Sequence, residues 1–197
     1  VLDGIINTLP AMVLPLVQNT MSNLLDAYKR NELVPDACLG IFALSATLTD
    51  QAEPSESLGA TTWWQKGLSA EAVLLSELQT DAFRKTGTVT QEEDIKGKRG
   101  AFLVKSDFSL SASENHEWMF CGEVNQRHST VHSLISSLTT DGGNFAQTVL
   151  SDARKGTENL NKIVGINDGI QRTGNELTSS HHFINVMFNI MRGGYFV

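Results

Sequence analysis

His128 and His132 stand four residues apart, the spacing that puts two imidazoles on one helix face within reach of one metal ion. The helical metalloprotease pair also needs a glutamate directly after its first histidine, and here that position is Ser129. No third ligand is spaced for the same face, so the pair reads as two solvated histidines and the chain as having no metal site. His181 and His182 are adjacent, about 100° apart around a helix. One is expected at a cleft and the other in solvent, rather than both on one ion.

The remaining chemistry-bearing residues do not assemble a complete active site. Serine, histidine and aspartate all occur, yet no Gly-x-Ser-x-Gly turn marks a nucleophile. Gly97-Lys98-Arg99-Gly100 lacks the leading glycine and trailing hydroxyl residue of a phosphate loop. Lying between two strand-like runs, it predicts a tight hairpin turn. Trp63 and Trp64 are consecutive, so in a strand they face opposite sides. One is expected in a core, the other at an interdomain contact or as a sugar-stacking surface. Acidic residues are scattered through turns, with no two placed as a glycosidase pair. Cys38 and Cys121 lie in separate apolar stretches and read as buried free thiols of a cytoplasmic protein, since a disulfide-stapled secreted domain uses more.

The elements that must position these residues are legible in part. The 197 residues are 41% hydrophobic and 19% charged, with a net charge of −7. That composition suits a globular chain and excludes wholesale disorder. The acidic balance opposes a general affinity for nucleic acid, and no apolar run approaches the roughly 18 residues of a membrane span. Residues 1–35 are mixed, with Pro10 and Pro15 punctuating an apolar stretch and a short helix predicted over 22–29, capped by Ser22. Between Ala37 and Val124 short apolar runs recur at 38–44, 60–64, 72–75, 101–104, 108–110 and 117–121, separated by turn-rich pieces including 50–57. Such spacing predicts an antiparallel sandwich.

After Asn125 the period changes. Val131, Leu134, Ile135 and Leu138 form one helical stripe, Asp141-Gly142-Gly143-Asn144 breaks it, and a second helix is predicted over 144–164. Gly165 to Gly174 reads as a loop. A third helix opens at Thr178 or Ser179, turns Phe183, Val186, Met187 and Ile190 to one side, and ends at Arg192-Gly193-Gly194. The start, Val1-Leu2-Asp3-Gly4, has neither the basic residues nor the cleavage site of a secretory signal. Together with the apolar Tyr195-Phe196-Val197 it reads as a cut inside a longer polypeptide.

Several strings occur in a telling order: residues 23–29, 49–58, 73–76, 79–84, 97–102 and 117–126, and then His182-Phe183-Ile184-Asn185-Val186-Met187-Phe188-Asn189-Ile190-Met191-Arg192-Gly193-Gly194. This succession resembles the amino-terminal part of glycoside hydrolase family 94-type phosphorylases. Within them it is most similar to 1,2-β-oligoglucan phosphorylases, with cyclic β-1,2-glucan synthase tails as relatives.

The resemblance implies an α+β segment: part of a β-sandwich over 1–125, a helical linker over 126–176, and from 177 to 197 the first helix of an (α/α)6 catalytic barrel. The implied parent is an inverting enzyme that cleaves β-1,2-linked glucooligosaccharides with inorganic phosphate as co-substrate, giving α-glucose 1-phosphate without a cofactor. Its general acid is an aspartate of the barrel beyond Val197, so no catalytic residue is carried over. Arg192, at the start of the barrel, is the one substrate-binding candidate, and a C-terminal helix cap is its other reading. Implied partners are the rest of the parent polypeptide, the oligosaccharide and phosphate, and a second copy in a homodimer, with no nucleic acid and no membrane. The rival expectation is a non-enzymatic carbohydrate-binding or assembly sandwich acting through Trp63 or Trp64.

Overall fold

A computed structural model describes residues 1–10, 25–46 and 59–193. The predicted Ser22 cap, the turn at 50–57, the whole string at 49–58 and Gly194 lie outside them. The described chain is α+β, with antiparallel sheets followed by helices. Strands β1 (Leu2–Thr8), β7 (Gly100–Lys105) and β5 (Ala72–Leu74) form a three-stranded sheet in the order β1-β7-β5. Strands β2 (Lys29–Val34), β3 (Leu39–Leu44), β4 (Ala60–Lys66), β6 (Asp94–Lys96) and β8 (Met119–Gln126) form a second sheet, ordered β6-β2-β3-β4-β8. The short helix α1 (Thr80–Thr86) follows β5.

Between the sheets lies one apolar cluster. Leu33 and Phe42 come from the second sheet, Val73, Phe102 and Val104 from the first, with Leu75 just past β5. Phe42 fits because two glycines make room for it. A Cβ on Gly40 would come within 2.8 Å of the Phe42 ring, and one on Gly100 within 2.5 Å. Strand alternation supplies the rest: in β2, Lys29, Asn31 and Leu33 are buried while Arg30 and Glu32 are exposed.

Runs at 38–44, 60–64, 72–75 and 101–104 are strands, as expected. Four details differ. Residues 108–110 have no strand structure, and the run at 117–121 enters its strand only at Met119. Of the helix predicted over 22–29, Leu25 and Asp26 are helical, but Lys29 already opens β2. Gly97 to Gly100 is not a hairpin: it carries the chain from β6 in one sheet to β7 in the other. β1 was also unforeseen, because its pattern is broken where the register with β7 shifts between Ile6 and Thr8, at Asn7 with φ 58°.

Helix α2 (His128–Ile166) is interrupted at Asp141, whose φ of −151° and ψ of 56° are not helical. This is where the sequence placed a break. The chain divides there into two compact units, Val1–Gly142 and Gly143–Val197. In the second unit, the end of α2 closes with a left-handed residue. Asp168 has φ 60°, its N–H donates to the Gly165 carbonyl, and Gly169 N–H donates to the Val164 carbonyl at 2.8 Å. Gly169 is needed there, since a Cβ would lie 2.3 Å from Val164 Cγ1 and 3.0 Å from Val186 Cβ.

Helix α3 spans Glu176–Gly193 and begins earlier than Thr178. Asn175 is its cap, the side-chain oxygen accepting from Thr178 N–H at 3.1 Å. Phe183, Val186, Met187 and Ile190 are half-buried, as the stripe predicted. Among the described residues no helix is long and apolar enough to cross a membrane.

Candidate functional site

The face of the second sheet opposite its core carries Arg30 and Glu32 on β2, Ile41 and Ala43 on β3, and Ala60 on β4, all on one side by register. The first turns of α2 add His128, Val131, His132 and Ile135, and together these residues line a groove of about 380 Å³. Ile41, Ala43, Val131 and Ile135 supply an apolar floor, while Arg30, Glu32, Gln126 and the two histidines supply polar groups. Sequence spacing placed the two imidazoles on one helix face. It gave no sign of Arg30 and Glu32, which lie just past the helix predicted over 22–29, where the sequence suggested no element.

The charges of this groove differ from others in the first unit. Asp26 pairs with Lys29 at 2.7 Å, Asp81 with Arg84 at 2.7 Å, and Asp94 with Lys96 at 2.9 Å. Lys105 sits between Glu71 and Asp107, whose hydrogen bonds, Glu71 first, hold its ammonium above the usual lysine value. Among the described residues Arg30, Glu32, His128 and His132 have no side-chain hydrogen bond or ion pair with protein. No group of three or more histidine, cysteine or carboxylate side chains among the described residues is arranged to hold a metal ion.

Arg192 lies in the last turn of α3, with its guanidinium 5.7 Å from the centre of the Phe188 ring. The structure groups it with its own helix. His181 is exposed, whereas half-buried His182 makes a 2.8 Å hydrogen bond between Nε2 and the Asp168 carbonyl, tying α3 to the end of α2. The two tryptophans face opposite ways. Trp63 is half-buried against the sandwich core and covers Gly122, and Trp64 is only 4% exposed. Trp64 borders a second cleft together with Cys38 and Leu138. Lys98 and Arg99 stand on the inter-sheet turn, where Arg99 Nε lies 3.6 Å from Asp26.

One aromatic group escaped the sequence reading. Phe108, His116 and Trp118 are mutual neighbours, with ring centres 4.8 to 5.8 Å apart, and Trp118 Nε1 donates to Asp3 at 2.7 Å. Phe108 and Trp118 also rest on the sandwich core, so the cluster anchors an irregular segment there. Both cysteines are free and half-buried rather than fully enclosed. Leu39 and Cys121 flank Trp64 on opposite sides in register, which sets Cys38 and Cys121 about two strand spacings apart, too far for a disulfide. Burial raises the Cys38 thiol above its usual value against a hydrogen bond from Gln65, and burial followed by the Glu123 charge raises Cys121. No protein-family model matches the chain, and no curated protein matches it.

Proposed function

We propose that this chain is the non-catalytic scaffold of a cytoplasmic inverting glycoside phosphorylase acting on β-1,2-linked glucooligosaccharides. In this reading the sandwich and linker support a catalytic (α/α)6 barrel of which α3 is the first helix. The ordered strings that resemble such enzymes motivate the assignment, and the surface of α3 is the observation that carries it. Phe183, Val186, Met187 and Ile190 are half-buried on one side, while Leu177, Ile184, Phe188 and Met191 remain 51 to 76% exposed. A helix with apolar residues on more than one side belongs in a multi-helix interior.

The chemistry needs one acid rather than two. Phosphate is already an anionic nucleophile, so no second carboxylate has to activate it; a single protonated carboxyl assists the leaving sugar oxygen, and inversion follows from attack on the opposite face. In the proposal that acid comes from the barrel, and Arg192 stands near the sugar site at the end of α3. The stand-alone sugar-binding alternative draws less support, since Trp64 is buried and Trp63 is half-buried against the core.

The test is turnover by the gene's complete product supplied with sophorose-type oligosaccharides and inorganic phosphate. Phosphate-dependent release of α-glucose 1-phosphate, with none from residues 1–197 alone, is the expected result. A folded complete product that makes no glucose 1-phosphate, or turnover by residues 1–197 alone, would overturn the reading.

A further inference from the structure

The groove beside α2 has features that the scaffold role leaves unused. It places a guanidinium, a carboxylate and two imidazoles around an apolar floor, in about 380 Å³. That volume falls within the range of small-molecule sites. None of these four ionisable side chains is spent on another described residue, although the neighbouring pairs on the same sheet are.

A second feature points to an anion. Helix α2 starts at His128, and the Arg127 carbonyl accepts from Val131 N–H at 3.0 Å, which makes Arg127 the capping residue. Arginine has no side-chain oxygen to offer, and no described side chain accepts from the first-turn N–H groups of His128, Ser129 or Thr130. The positive end of the helix dipole therefore lies uncapped beside Arg30 and the two histidines.

We propose that this groove binds a small phosphorylated polyol of sugar-phosphate size. The phosphate accepts hydrogen bonds from Arg30, from the imidazole N–H groups and from the open first turn of α2. Glu32 would repel a bare anion, but it accepts from ligand hydroxyls, and Ile41, Ala43 and Val131 lie under the C–H face of the ligand. The complement of one carboxylate beside several anion-binding groups is thus matched by a ligand that carries both phosphate and hydroxyls. This inference rests on the groove alone and is independent of the phosphorylase reading.

Titration calorimetry and amide-resolved NMR of the 197-residue chain in phosphate-free buffer test it, with glucose 6-phosphate, inorganic phosphate and glucose as separate probes. Glucose 6-phosphate should bind most tightly and shift the amides of Arg30, Ala43 and His128 to Val131. Arg30→Gln should weaken it by about tenfold or more. Glu32→Gln should weaken glucose 6-phosphate severalfold while leaving inorganic phosphate unchanged or tighter. Both side chains are exposed, so circular dichroism should be unaffected in either variant. Absence of shifts at these amides, indifference to Arg30→Gln, or equal affinity for phosphate and glucose 6-phosphate would each overturn the proposal.

Discussion

Within Val1–Gly142, Phe42, Leu75, Phe102 and Val104 are at most 1% exposed, whereas in the second unit Leu177, Ile184, Phe188 and Met191 on α3 alone are more than half exposed. The first unit gains its stability between two sheets, from large side chains that glycines on neighbouring strands accommodate. In the second, Val164 and Ala146 are the only described hydrophobic side chains that are buried. Covering each exposed side chain of α3 would be worth roughly 1–2 kcal/mol. The contrast teaches that one unit is finished by its own strands, while the other presents a face suited to further protein.

Substitutions can break this contrast. Phe42→Ala should have the largest effect, about 3–5 kcal/mol in urea unfolding, because it empties a buried ring site that Gly40 and Gly100, having no side chains, cannot refill. A cost of similar size for Phe188→Ala would erase the distinction. Glu92→Ala should follow at about 2–3 kcal/mol, since this buried carboxylate accepts from Leu75 N–H, the Ser76 hydroxyl and the Gln79 amide at 2.8 to 3.1 Å. Gly169→Val should cost about 1–3 kcal/mol through collision with Val164 and Val186. Its signature is loss of helical ellipticity with the sheet signal retained.

The smallest effect is chemical. Raised thiols hold less thiolate at a given pH, so iodoacetamide should modify Cys38 and Cys121 more slowly than a model peptide thiol at pH 8. The lag should close as pH rises above the ordinary thiol range. Rapid modification at pH 8 would contradict the burial described for both.

How far these features could be read from the sequence depended on where each residue's partners lie. The apolar runs of β3, β5 and β7 announce themselves because their buried side chains are hydrophobic, and β4 does so through its tryptophans although Thr61 and Thr62 are buried beside them. β2 does not: its inward positions include Lys29 and Asn31, which are satisfied by Asp26 and by the Leu75 and Lys98 carbonyls. Those partners are distant in sequence or follow from a local turn, and no periodicity reveals them. The opposed tryptophans and the break near Asp141 were legible, since both follow from local geometry. The groove was half legible: helical spacing joined His128 to His132, but Arg30 and Glu32 reach it only through long-range strand pairing.

Hydrogen exchange across the whole chain tests most directly whether α3 is a helix built for further cover. The amides of β3, β4 and β7 should exchange slowest, and those of α3 from Ser180 to Ile190 about 100-fold faster or more. Equal protection of α3 and the central strands would show the helix to be complete as it stands, and would contradict the account.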